Sequence, residues 1–419
     1  MLVSNTAAMN IVARLNPFQP DAPVRPSLFT GRRAELQTIH QSVLDTLRGR
    51  ASHVLIVGER GMGKTSLANY LTDFATSPEL TEAAGGVTAP AVLFVSLGFS
   101  PTVPEVCAAI LNEAYRWARR DQSLLRWFRE ELRQLEGLEI GFFGVSIAAK
   151  QGQSSTALPH AFPDALEAVF ERMGGIGGLI ILLDETEAIA TAPAFPGFMK
   201  SLLEVLGARK LGTIQFVMTT TPEGRDRMTQ THESFPRLFR HVRINPLSND
   251  EVEDLVARAL QEGLPRKEAT PAFLKMIADM ASGIPGFVHE LGRAAFDVDR
   301  NGILDLDDLT DGILGTDTVV GALSMLEQRH FHERYSKKVL SNSYREILHA
   351  IAELERDEVS TAEIRDRCPQ IGARQINTYL ARMADRGVVV RVEGKKGIYK
   401  LPDQMFKVFL RMKPPPRRG

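Results

Sequence analysis

Eight residues of this chain, Gly58-Glu59-Arg60-Gly61-Met62-Gly63-Lys64-Thr65, follow the pattern Gly-x-x-x-x-Gly-Lys-Thr/Ser. Each residue type has a use toward a triphosphate. The glycines let the backbone turn tightly, so that its N–H groups point at phosphate oxygens. The N-terminus of a helix opening around Ser66 adds partial positive charge. Lys64 reaches the β- and γ-phosphates, and the Thr65 hydroxyl holds Mg²⁺. Gly58 through Ser66 are therefore the candidate ATP-binding residues. A second cluster, Asp184-Glu185, has the chemistry that the first lacks. Asp184 holds Mg²⁺ through water. Glu185 polarises the attacking water as a general base. A third stretch, Thr219-Thr220-Thr221, offers a small polar side chain to orient that water; Thr220 is the first choice and Thr219 the second.

These groups need particular elements behind them. The apolar run Val54-Leu55-Ile56-Val57 breaks at Gly58 and has the length and branching of a buried parallel strand. Strand, glycine loop and helix is the setting in which the pattern binds phosphate. AVLFVSL (91–97) is a second buried strand. Leu179–Leu183 is a third, ending at the acidic pair, and Thr213–Met218 is a fourth, ending at the threonines. A fifth is expected at His241–Ile244, after SFPRLFRHVRI with Arg237, Arg240 and Arg243. Residues 138–149 read as a short β-hairpin. The expected core is thus an α/β domain with a parallel sheet.

Residues 1–29 are rich in proline near NPFQPDAPVRP and read as an extended arm. Beyond residue 342 the pattern changes. SYREILHAIAELERDE is an amphipathic helix, and Ser360-x-x-Glu363 opens a second with a capping box. A third, ARQINTYLARMADRG, turns Ile376, Tyr379, Leu380 and Met383 inward and leaves Arg374, Gln375, Asn377, Thr378 and Arg382 outside. Two short strands follow, joined at Glu393-Gly394-Lys395-Lys396. Three helices and a basic hairpin make a winged-helix arrangement. Such a domain places its third helix in the major groove of double-stranded DNA and touches phosphates with the wing, here Lys395, Lys396 and Lys400. Lys413, Arg417 and Arg418 extend a basic tail. A winged helix that binds protein partners is the alternative.

The whole chain has 419 residues, 44% hydrophobic and 24% charged, which suits a soluble protein of two or three domains. Its net charge of −1 hides an asymmetry. Residues 337–419 hold 18 Lys and Arg against 10 Asp and Glu, and the rest holds 32 against 41. A basic end on an acidic body suits a polyanionic partner. No apolar run approaches the roughly 20 residues that span a bilayer. The opening residues lack a secretory pattern, and Cys107 and Cys368 offer neither a disulfide framework nor zinc spacing. A cytoplasmic protein without membrane contact is expected.

Together, FTGR (29–32), GERGMGKT (58–65), LIILLDE (179–185), the threonines and the arginines before the fifth strand resemble an AAA+ P-loop ATPase. The likeness is to the clade of replication initiators and STAND-like signalling and transposition ATPases that carry a C-terminal winged helix. It implies a core over 30–245, a helical lid over 246–315, a linker helix over 316–341 and a winged-helix domain over 342–419. It also implies that Gly31 and Arg32 sit near adenine and ribose. Arg237 or Arg240 would be an arginine finger completing the site of a neighbouring subunit, so a homo-oligomer is expected. The family's second sensor arginine stands just after a Gly-x-Pro turn, but here Gly286 follows Gly283-Ile284-Pro285. Arg293 lies seven residues on, roughly 10 Å along a helix. A nucleotide-gated scaffold, whose winged helix serves protein contacts, is the rival function. Asp297–Asp308 nearly fits a calcium loop, but reads better as a turn and helix cap.

Overall fold

The computed structural model of the chain describes residues 15–98, 101–119, 121–130, 139–140, 147–148, 158–339, 341–402 and 404–413. The chain divides into two compact units. One is Arg32–Asn245, and the other joins the segment up to Gly31 with Pro246–Gly419. The arm groups with the C-terminal unit.

The first unit alternates helices and strands. Its elements are α1 (Arg33–Leu47), β1 (Val54–Val57), α2 (Lys64–Ala75), α3 (Pro78–Ala83), β2 (Ala91–Ser96), α4 (Val103–Ala118) and α5 (Gln122–Glu130). There follow β3 (Glu139–Ile140), β4 (Ile147–Ala148), α6 (Leu158–Met173), β5 (Leu179–Asp184), α7 (Ala194–Ala208), β6 (Ile214–Thr220), α8 (Pro222–Thr231) and β7 (Arg240–Arg243). A 3-10 turn, Thr186–Ala188, follows β5, and another, Phe235–Leu238, precedes β7. Five strands form a parallel sheet in the order β2-β5-β6-β1-β7. Every residue of β1, β5 and β6 is buried, as continuous apolar runs in a sheet covered on both faces should be. β3 and β4 are the paired part of the expected hairpin; its turn lies outside the described residues.

Register matters more than strand count. Leu183 pairs with Met218, and Val57 pairs with Thr220. One step beyond Leu183, Asp184 arrives beside Thr219. The glycine loop, the acidic pair and the threonines therefore leave the same edge of the sheet.

In the second unit, α9 (Asn249–Glu262) opens on a capping box in which Ser248 and Glu251 bond each other's backbone N–H. β8 (Glu268–Ala269), α10 (Pro271–Ala281), α11 (Pro285–Val298), β9 (Ile303–Leu304) and α12 (Leu306–Leu314) follow. The arm lies against this helical group. Leu15 bridges Leu264, and Asn16 donates to the Arg293 carbonyl and to Asp297. Phe18, 1% exposed, fills a notch at Gly292, where a Cβ would come within 2.5 Å of its ring. Beyond α12, α13 (Ala322–Leu326) runs into a wide π-helical stretch, Glu327–Lys337.

The C-terminal part holds α14 (Asn342–Glu353), β10 (Val359–Ser360), α15 (Thr361–Arg367), α16 (Ala373–Asp385), β11 (Val390–Arg391), β12 (Ile398–Lys400) and α17 (Gln404–Met412). The three strands make a small antiparallel sheet in the order β10-β12-β11. α17 was not expected from the pattern. Phe406, Phe409 and Leu410 are fully buried, and Lys407 beside them is 4% exposed. The Lys407 ammonium donates to the carbonyls of Glu355 and Arg356 and to the Asp357 carboxylate, and Arg411 donates to those of Ala352 and Leu354. Lys413, expected in a basic tail, is engaged with Glu327. Part of the positive charge at this end is therefore spent on internal carbonyls and carboxylates.

Candidate active site

The loop after β1 needs its glycines for two reasons. Gly61 and Gly63 have φ of 77° and 86°, in the left-handed region that side chains disfavour. Gly58 runs so close to Ile244 that a Cβ would lie 3.1 Å from that residue's own Cβ. Gly63 precedes α2 without a side-chain cap, so the first backbone N–H groups of the helix are left for an outside acceptor. Glu59 is half-buried and Arg60 exposed, while Met62 and Ser66 are buried.

Lys64 is 8% exposed, and its ammonium donates to the Glu59 carbonyl at 3.1 Å. Burial lowers its pKa. The negative charges of Glu187, then Asp184, then Glu59 act against that and favour the charged form.

Asp184 is the hub. It is 3% exposed and accepts from two hydroxyls, that of Thr65 at 2.8 Å and that of Thr219. The Thr219 oxygen in turn accepts from the backbone N–H of Glu185 at 3.0 Å. Thr186 donates to the Thr219 carbonyl at 2.7 Å. Three elements, α2, β5 and β6, thus meet on one carboxylate. Glu185 itself is exposed and left-handed, with φ of 60°. Partial burial raises its pKa, and the nearby charges of Asp184 and Glu187 push it further up.

The other expected residues fall as follows. Thr219, the second choice, touches Asp184. Thr220 is fully buried, and its hydroxyl has no hydrogen-bond partner among the described residues. Arg32 is 8% exposed and braces the loop, donating to the Met62 carbonyl at 3.2 Å and to the Asn245 carbonyl. Gly31, in the other unit, has φ of 67°, and a Cβ there would strike the Glu251 carboxylate. Arg237 and Arg240 are exposed; Arg240 lies 3.7 Å from the Asp45 carboxylate. Arg293 pairs with Asp21 of the arm at 3.0 Å. In the near-calcium loop, Asp299 is 1% exposed and its carboxylate takes the Lys267 ammonium at 2.7 Å. The carboxylate at the loop's third position already holds a cation of the chain's own. Sequence reasoning missed Glu187, three residues past Asp184. Its only mark in the string is a third acid in Asp-Glu-Thr-Glu.

On the C-terminal part, Arg374, Gln375, Asn377, Thr378 and Arg382 are all exposed on α16, and Lys396 and Lys400 are exposed on the hairpin. Lys395 is exposed too, but pairs with Glu358 at 2.6 Å. Arg365 donates to Asn377 at 3.4 Å.

Residues 28–209 match the family described as the AAA ATPase domain. Over that stretch the chain is similar to the AAA ATPase domain family. The matched stretch contains the glycine loop, β5 and its acidic pair, the parts that converge on Asp184. The whole chain is similar in fold to the Walker-type ATPase PABY2304 of Pyrococcus abyssi. Identity is 16% over 94% of this chain and 99% of that one, with a TM-score of 0.54. It is also similar to the ADP form of the Aeropyrum pernix ORC2 protein. Identity there is 17% over 94% of this chain and 96% of that one, with a TM-score of 0.53. No curated protein matches the chain. No described helix is long and apolar enough to cross a membrane.

Proposed function

We propose that this chain binds ATP with Mg²⁺ at the AAA ATPase domain and hydrolyses it to ADP and phosphate. The observation that carries the reading is the Asp184 carboxylate, joined to Thr65 at the head of α2 and to Thr219 at the tip of β6. A buried acid, the hydroxyl after the loop lysine and a buried ammonium are the donor set that Mg²⁺ and a triphosphate require. Thr65 and Asp184 would hold the ion, which when bound neutralises phosphate charge. Gly58 through Ser66 would cradle the phosphates, and Lys64 would meet the β- and γ-oxygens.

Glu185 then takes a proton from a water whose oxygen forms a bond to the γ-phosphorus. The bond from that phosphorus to the bridging oxygen breaks, and ADP leaves with the electron pair. The raised pKa of Glu185 suits a base better than an ordinary surface carboxylate would. Arg237 or Arg240, exposed before and at β7, would complete the site of a neighbouring copy. A finger of this kind is worth about 10³–10⁵ in rate. Turnover per chain should therefore rise with protein concentration.

The C-terminal helices and three-stranded sheet support a winged helix that holds double-stranded DNA through Arg374, Gln375, Asn377, Thr378, Arg382, Lys395 and Lys396. The exposed face of α16 favours it. Phosphate release from ATP by the full chain, with and without duplex DNA, tests both parts. Turnover with DNA binding that weakens steeply in salt supports the reading. Turnover without DNA binding leaves the rival, a nucleotide-gated scaffold with protein partners. No turnover at any protein concentration refutes hydrolysis.

A further inference from the structure

A trans peptide is planar, so its C=O and its N–H point in opposite directions. Where a loop turns N–H groups toward a phosphate, the carbonyls of the same peptides turn away and need donors elsewhere. In the loop after β1, the peptide between Met62 and Gly63 has such a donor. Arg32 donates to the Met62 carbonyl at 3.2 Å, in a buried contact. The Gly63 N–H therefore leaves this peptide on the side away from Arg32. The peptide needs a hold, because Met62 stands between two left-handed glycines, Gly61 and Gly63. Glycine takes either sign of φ readily, so the peptide can turn over.

Arg32 is itself fixed. Its guanidinium also donates to the Asn245 carbonyl and lies 3.7 Å from the Glu35 carboxylate. Asn245 follows Ile244, whose N–H donates to the Val57 carbonyl at 2.8 Å and whose side chain closes on Gly58. The start of the loop and the brace on its later part thus rest on one segment. The planar fork of arginine suits this place, since it meets two carbonyls at once.

We propose that Arg32 is a positioning residue for the phosphates of ATP. By holding the Met62 carbonyl it keeps the Gly63 N–H turned into the loop, toward a phosphate oxygen. The inference rests on the nucleotide reading above and deepens it. The sequence likeness implies a place for this residue near adenine and ribose, and the two roles predict different things. A residue that orients an N–H toward phosphate matters equally whatever the base. One that touches adenine changes the preference among bases.

The test measures kcat, KM, unfolding midpoint, and the affinities for ATP and GTP by competition with a fluorescent ATP analogue, all on the full chain. Arg32→Ala should weaken ATP about ten- to a hundredfold, the worth of one hydrogen bond to a charged group. GTP should weaken by the same factor. The kcat should stay within about threefold, because the loop holds the phosphates before and during transfer alike. Arg32→Lys keeps the cation but offers a point charge instead of a fork. It should lose about three- to tenfold, and it carries the test should the alanine chain not fold. Independently of affinity, a crystal structure of a weakened variant should show the Met62–Gly63 peptide turned over or in two orientations. Wild-type ATP affinity in a folded variant, unequal factors for ATP and GTP, a fall in kcat at unchanged KM, or an unmoved Met62–Gly63 peptide in a weakened variant would each overturn the inference. A wild type that binds no ATP would bring down the nucleotide reading as well. Normal ATP binding by the wild type and by Arg32→Lys alike would sink only the brace.

Discussion

At the scale of single residues, the site turns on how carboxylates share a small volume. Asp184 spends both oxygens on hydroxyls, whereas Glu185 is left exposed with a raised pKa. The same two letters in sequence thus have different chemistry, because one ends a buried strand and the other begins a left-handed turn. Glu185→Gln removes the base and keeps the shape. It should cost about 10²–10⁴ in kcat with ATP binding intact, read by phosphate release beside nucleotide titration. Unchanged turnover would remove Glu185 from the mechanism. Lys64, Thr65 and Asp184 were legible because their spacing to strand and helix is nearly invariant in what it must do for a phosphate. Thr219 and Thr220 were not separable from the string. Adjacent strand residues point to opposite faces, and only the β5–β6 register places Thr219 beside Asp184. Glu187 was missed because what marks it is its charge near Lys64.

Elements show where pattern reading works and where it stops. The buried strands were legible within one or two residues, since four or more branched apolar residues bounded by glycine or acid have few other fates. α17 was not, because Lys407 and Arg411 interrupt an apolar nonamer. Each in fact caps backbone carbonyls left over near the end of α14. The arm was read as extended, which does not reveal that Asn16, Phe18 and Asp21 fasten it to α11 and the π-helical stretch. One of these fastenings is sensitive to acid. His289 of α11 is 3% exposed, its Nδ1 accepts from the Gln19 N–H at 3.3 Å, and burial lowers its pKa to about 4. Unfolded, the imidazole takes a proton near pH 6.5; folded, it refuses one until about pH 4. The stabilisation is therefore whole above pH 6.5 and declines as pH falls toward 4. It amounts to roughly 3 kcal/mol at most, from 1.36 kcal/mol per pKa unit. Denaturant titrations between pH 7 and 4 should show a steeper loss in the wild type than in His289→Gln. Equal slopes would contradict the assignment.

For the whole molecule, net charge and sequence length set expectations that the fold then redistributes. The excess of basic residues from position 337 on is real, but Lys407 and Lys413 are committed to backbone carbonyls with Asp357 and to Glu327. What remains for a polyanion is chiefly the face of α16 with Lys395, Lys396 and Lys400, the exposed Lys395–Glu358 pair being weak. Assembly is the other property at this scale. If Arg237 or Arg240 acts on a neighbour, an Arg237→Ala or Arg240→Ala subunit lacks a finger but keeps a site. A Lys64→Ala subunit lacks a site but keeps a finger. Mixing the two inactive variants should restore turnover toward a fraction of the wild type. A mixture as inactive as its parts would mean that neither arginine works across an interface.

The central claim is that a triphosphate and its metal are held between the loop after β1 and the carboxylate ending β5. Isothermal titration of ATP with Mg²⁺ into the wild type and into Lys64→Ala, both checked for equal unfolding midpoints, addresses it without requiring turnover. Saturable binding of one ATP per chain is expected for the wild type, and none for the variant. A folded wild type that takes up no nucleotide, or a Lys64→Ala that binds as well, would contradict it.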